Sequence, residues 1–114
     1  MSRELLSWIA AGLAACLLFV GAAASQVPPP NLANGQAIAQ ARCAACHAIG
    51  PSGDSPLADA PKFRDLHKHF DVADLQEALA EGIIVGHGPM PAWALSATDV
   101  RDLVGYLKSL DPKA

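Results

Sequence analysis

The stretch ARCAACHAIG, residues 41–50, sets Cys43 and Cys46 two residues apart and follows them at once with His47. That spacing suits a redox dithiol, one half of a zinc site or a covalent anchor for haem. Each predicts a different function, so the rest of the chain must decide.

Apart from Cys16, near the start of the chain, these are the only cysteines. A structural zinc site takes four Cys or His ligands, typically from two such knuckles. His67, His69 and His87 would have to complete it, and none is paired at the usual spacing after another cysteine. A thioredoxin-like dithiol opens a helix that follows a strand. Here NGQAIAQARC (34–43) reads instead as a helix, rich in alanine and without a β-branched run. C-x-x-C-H is the attachment signature of c-type haem. Two thiols on one helical turn match the separation of the porphyrin's two vinyl groups, and the adjacent imidazole lies under the iron as its proximal ligand. Haem is the reading of this motif.

The chain has 114 residues, a formal net charge of −3 and 52% hydrophobic residues. One end inflates that hydrophobic fraction. LLSWIAAGLAACLLFVGAAA, residues 5–24, carries no charge and ends in small residues that suit signal cleavage after Ala24. The alternative is an uncleaved membrane anchor, since about twenty apolar residues also span a bilayer. LAAC (13–16) would make Cys16 a lipid-modified residue, but the apolar LLFVGAAA behind it argues against that. Every version exports the rest of the chain. The proline run of SQVPPPNLANG (25–35) then reads as a stiff spacer. The division is 1–24 signal peptide or anchor, 25–33 linker and 34–111 folded domain. A domain of that size builds a thin core and needs a staple, metal or cofactor. Removing Arg3 and Glu4 from the totals of 8 basic and 11 acidic residues leaves the charge at −3, with no footprint for nucleic acid.

A haem held by one histidine has a sixth position to fill. Met90 lies in GHGPMPAW (86–93), a non-helical stretch with prolines on both sides of the methionine. Such a loop presents a thioether with little backbone to reorder, and Met/His ligation is an established haem arrangement. The plainer role for a methionine is filling gaps in a core. His87, on the same loop, is the competing ligand. His67 and His69 alternate on a charged stretch and are expected to be exposed.

These residues together resemble the class I c-type cytochromes, small monohaem proteins. The resemblance runs over about residues 31–110: a first helix ending in CAACH, a loop carrying Met90, and a final helix in ATDVRDLVGYLKSL (97–110). It implies an all-α cytochrome c fold, three to four helices around one covalent haem c, with the first and last helices crossing. Gly35 resembles the small residue that permits that crossing, and Tyr106 its aromatic partner. Pro61 resembles the proline whose carbonyl accepts a hydrogen bond from the proximal histidine, and Trp93 an aromatic residue near the haem propionates. The helices also have support of their own. Val100, Leu103, Val104 and Leu107 form one apolar stripe, Ser96 caps it, and a middle helix fits 72–81 between Asp71 and Gly82.

The implied function is single-electron transfer by haem c, with His47 and Met90 as iron ligands and Cys43 and Cys46 as thioether anchors. The chain would then be a carrier and not an enzyme. The alternative is a haem-based gas sensor or a peroxidase-like enzyme with a labile methionine. Expected partners are redox proteins such as a dehydrogenase, a quinol-oxidising complex or a terminal oxidase. The expected location is the periplasm, with membrane association through residues 5–24 if they are retained. The cluster Lys62, Arg64 and Lys68 could steer an acidic partner. A solvated face broken by Asp65 is the plainer reading.

Overall fold

A computed structural model describes residues 21, 23–82 and 90–114. Residues 1–20, Cys16 among them, and residues 83–89, His87 among them, lie outside the described residues, so most of the expected signal peptide or anchor 1–24 does too. Among those described there is no strand, and no helix is long and apolar enough to cross a membrane.

The first helix, α1, spans Leu32–Arg42. The sequence pattern starts it at Asn34, but Asn31 supplies the cap, its side chain accepting from the Asn34 amide at 3.1 Å. A short polar side chain at this position satisfies one of the helix's unpaired first-turn donors. α1 has no broad apolar stripe and packs through two small buried residues, Gly35 and Ala39. After the loop that follows CAACH come two 3₁₀ segments, Phe63–Lys68 and Val72–Asp74. Helix α2, Leu75–Glu81, is shorter than the pattern suggested, because its first turn is wound as 3₁₀. Asp71 still caps that turn, accepting from the Ala73 amide, and Gly82 ends α2 at φ +96°, a conformation that favours glycine. The last helix, α3, is Ala97–Ser109, with the Ser96 hydroxyl accepting from the Asp99 amide. Its stripe Val100, Leu103, Val104 and Leu107 is buried.

α1 and α3 cross in contact. A Cβ at Gly35 would overlap the Asp102 backbone carbonyl and stand 2.7 Å from the Tyr106 Cβ. The crossing also has a polar lock. The buried Asp102 carboxylate accepts from the Asn31 amide at 3.0 Å and from Asn34 Nδ2 at 2.9 Å, both at the start of α1. Arg101 donates to the same carboxylate at 2.9 Å. One residue before Asn31, the ring of Pro30 sits where a Cβ of Gly105 would be, so the end of the proline run rests on α3.

The expectation that both His67 and His69 are exposed needs correcting. His69 is exposed, but His67 is half-buried with Nε2 3.8 Å from Asp111 Oδ1. Their separation in sequence hides that pairing. The basic cluster is also engaged within the domain. Lys62 pairs with Asp54, Lys68 with Asp65, and Arg64 donates to the carbonyls of Gly50 and Gly53.

Gly35→Ala should gain about 1 kcal/mol of helix propensity and lose more, because the obstacle is backbone that a rotamer change cannot move. Overpacking of about 3 kcal/mol leaves a net loss of about 2 kcal/mol, read from the urea midpoint. Asp102 gives a second test. The hydrogen bonds from Asn31, then Asn34, hold its carboxyl below the usual range against the opposing effect of burial. Its stabilisation is therefore complete above the unfolded carboxylate value of about 3.9 and is lost as pH falls through the lower folded value. Asp102→Asn should flatten that acid limb in a pH series of urea midpoints.

Candidate haem site

Cys43 is the C-cap of α1, its amide donating to the Ala39 carbonyl at 2.9 Å. The chain then turns tightly. The Cys46 and His47 amides both donate to the Cys43 carbonyl, at 3.1 and 2.9 Å, which places both thiols and the imidazole on one compact turn. Both cysteines are free and half-buried. Burial pushes the Cys43 thiol up, partly offset by the Arg42 charge.

The imidazole of His47 is fixed from two directions. Its Nδ1 lies 2.7 Å from the Pro61 carbonyl oxygen. A carbonyl only accepts, so Nδ1 carries the proton, and in the neutral ring Nε2 is the nitrogen with the lone pair. The Phe63 ring packs beside it, centroids 5.1 Å apart at 42°. The loop between them is held in turn. The Ala48 amide donates to Ser55 Oγ at 2.9 Å, the Phe63 amide to the Ala48 carbonyl at 3.0 Å, and the Tyr106 hydroxyl to the Ile49 carbonyl at 2.8 Å. Sequence reasoning named Tyr106 for the crossing but missed this second job. Ser55 and Phe63 carried no signal that would have singled them out.

Cys43, Cys46 and His47 line a cavity of about 810 Å³. Leu75 and Leu79 line it from α2, Leu103 and Leu107 from α3, and Met90 and Trp93 from the connection between those helices. Met90 and Trp93 are about two-fifths exposed, so this part of the lining reaches solvent. The Trp93 ring is not a buried core residue; the Arg42 guanidinium carbon stands 5.6 Å from its centroid. Six residues that the sequence offered for the site, Cys43, Cys46, His47, Pro61, Met90 and Trp93, come together in this lining. Among the described residues no three His, Cys, Asp or Glu side chains gather as a metal-holding group. The chamber suits a covalent haem on its own chemistry. It offers two free thiols, one imidazole with a defined tautomer and a free Nε2 lone pair, and mainly apolar walls within the size range of cofactor pockets.

Comparison with known proteins points the same way. Residues 30–107 match the family described as cytochrome c oxidase, cbb3-type, subunit III. A cytochrome c-552 from Bradyrhizobium diazoefficiens is 31% identical over 98 residues, covering 85% of this chain and 92% of that protein. Cytochrome c6 from Bryopsis maxima is 36% identical, over 57% of this chain and 75% of the relative. Cytochrome c6 from Cladophora glomerata is 34% identical, over 67% and 85%. No solved structure matches at the same stringency.

Tyr106→Phe removes the hydroxyl that holds the Ile49 carbonyl while keeping the ring at the helix crossing. It should cost about 1 kcal/mol, the ordinary net worth of one such bond, and lower the melting temperature by a few degrees.

Proposed function

Because the chain belongs to the small c-type cytochromes, haem-based electron carriers with covalently bound haem c, we propose that His47 and Met90 are the axial ligands of its iron. The observation that carries this reading is the cavity itself, where Met90 shares one apolar lining with His47 and the two cysteine thiols. When bound, the haem iron supplies a one-electron ferric–ferrous couple.

The residues divide the remaining work. Cys43 and Cys46 would anchor the group through thioether bonds. His47 would give its Nε2 lone pair to the iron, with Nδ1 holding its proton against the Pro61 carbonyl. That hydrogen bond keeps one tautomer, sets the ring's orientation and makes the imidazole a better donor. Met90 offers a soft thioether, which favours ferrous iron and raises the potential. Leu75, Leu79, Leu103 and Leu107 exclude water, and apolar walls disfavour the ferric form, which carries the extra charge. With His47 and Met90 both holding the iron, the chain would act as a carrier and not as an enzyme. Trp93 stands at the exposed part of the lining, and by its resemblance to the family's aromatic residues it would lie near the haem propionates.

The division of labour along the chain follows. Residues 1–24 would export the protein or anchor it and residues 25–29 form the linker, while the electron-carrying domain, expected from residue 34, starts already at Pro30 and Asn31, which pack on α3, and runs to residue 111. It works in the periplasm, soluble or tethered to the inner membrane, between redox proteins such as a dehydrogenase, a quinol-oxidising complex or a terminal oxidase. Contacts of this kind are small, weak and salt-sensitive.

The test is the visible spectrum of the matured protein, oxidised and reduced, with and without carbon monoxide. The expected result is a low-spin c-type spectrum that carbon monoxide leaves unchanged. Met90→Ala should then bind carbon monoxide at once. Rapid binding by the unaltered protein would mean an open sixth site, and the gas-sensor or peroxidase-like reading would replace the carrier.

A further inference from the structure

Met90 and Trp93 belong to one short stretch, Met90-Pro91-Ala92-Trp93, and Pro91 removes a backbone donor from it. The following residues are tied down. The Leu95 amide donates to the Leu79 carbonyl at 2.9 Å, and Ser96 caps α3. Met90 to Ala94 is exposed. Across the cavity lining from this stretch is the last turn of α1, and there Arg42 places its guanidinium 5.6 Å from the centre of the Trp93 ring. A cation within about 6 Å of an indole face is attracted by the ring's quadrupole. The planar guanidinium suits this contact, and its charge also suits the C-terminal end of a helix. Arg42 directly precedes Cys43 in the chain, so the contact links the haem-anchoring turn to the stretch that carries Met90.

We propose that Arg42 is a positioning residue, a cationic brace that holds the Met90 stretch against α1 through the face of Trp93. The proposal rests on the His47 and Met90 ligand assignment. The brace acts on a population, not on the iron chemistry. It disfavours conformations in which the stretch swings away and leaves the sixth position to another ligand. An exogenous ligand must displace Met90, so its apparent affinity measures how readily the stretch yields.

The experiment is an imidazole titration of the matured ferric protein, followed by its visible spectrum, with unfolding midpoints measured alongside. An exposed cation–π contact predicts that Arg42→Gln binds imidazole about two- to fivefold more tightly. Trp93→Leu should tighten binding to a similar degree, and the double variant Arg42→Gln/Trp93→Leu should add little beyond either single change. Arg42→Lys, which keeps the cation, should lie nearer the parent than Arg42→Gln does.

Additive effects in the double variant would mean that Arg42 acts through some other group, and would overturn the brace. So would an unaltered affinity in Arg42→Gln, equal behaviour of the Lys and Gln variants, or a fall in unfolding midpoint large enough to account for the change. Met90→Ala separates the two levels of the argument. If its ferric spectrum matches the parent's, the ligand assignment fails and the brace falls with it. If that spectrum changes while Arg42→Gln binds imidazole as the parent does, the brace alone fails.

Discussion

Two helix backbones approach so closely at Gly35 that the first carbon of any side chain there would collide with the Asp102 carbonyl. Everything else in the domain is placed by that crossing. α1 runs seven residues from Gly35 to its last residue, Arg42, so fixing it against α3 fixes where Cys43 and the CAACH turn emerge. α3 in turn offers Leu103 and Leu107 to the cavity and sends the Tyr106 hydroxyl to Ile49, just past His47. The carboxylate of Asp102 holds the start of α1 while its own backbone carbonyl meets Gly35. One residue thus supplies both the steric floor and the polar latch of the crossing.

The core that results is narrow. Phe63, Leu66, Leu103 and Leu107 are core residues, and the same four line the cavity. A chain of this size has too little apolar side chain to build a core and a separate binding chamber. It uses one set of side chains for both. That economy has a chemical consequence: substitutions in these walls act on stability and on the environment of the iron together. A change in potential from such a variant should therefore not be assigned to polarity without a matching measurement of stability.

The features legible in the sequence were those with local cause. The CAACH spacing, the stripe on α3, the Ser96 cap and the Gly82 stop each depend on residues within a turn or two of one another. The start of α1 was misjudged because Asn31 and Asn34 are both good caps, and only the packing of Asn31 and Asn34 on Asp102 distinguishes their roles. The 3₁₀ winding of 63–68 has no periodic signature, since its buried residues Phe63 and Leu66 fit several local structures. His67 with Asp111, Arg42 with Trp93 and Tyr106 with Ile49 join distant parts of the chain, so no local pattern could announce them. Pro61 was reached through family resemblance, because nothing in the spacing of His47 and Pro61 requires a hydrogen bond between them.

The two sides of the proposed ligand pair are held very differently. His47 sits on a turn closed by its own backbone hydrogen bonds, and its ring is set by the Pro61 carbonyl and flanked by Phe63. The loop beyond is pinned by Ser55, Arg64 and Tyr106. Losing any one of these leaves the others in place. Met90 lies on an exposed stretch whose nearest backbone tie among the described residues is at Leu95. On the histidine side Lys62 pairs with Asp54 and Arg64 donates to the Gly53 carbonyl, while Lys68 pairs with Asp65 inside the 3₁₀ segment, so all three basic residues are engaged within the domain. In such an arrangement strain from heat, solvent or a competing ligand would be released first at the methionine. With the proposed ligands, His47 and the two cysteine anchors would keep the cofactor in register if the methionine let go.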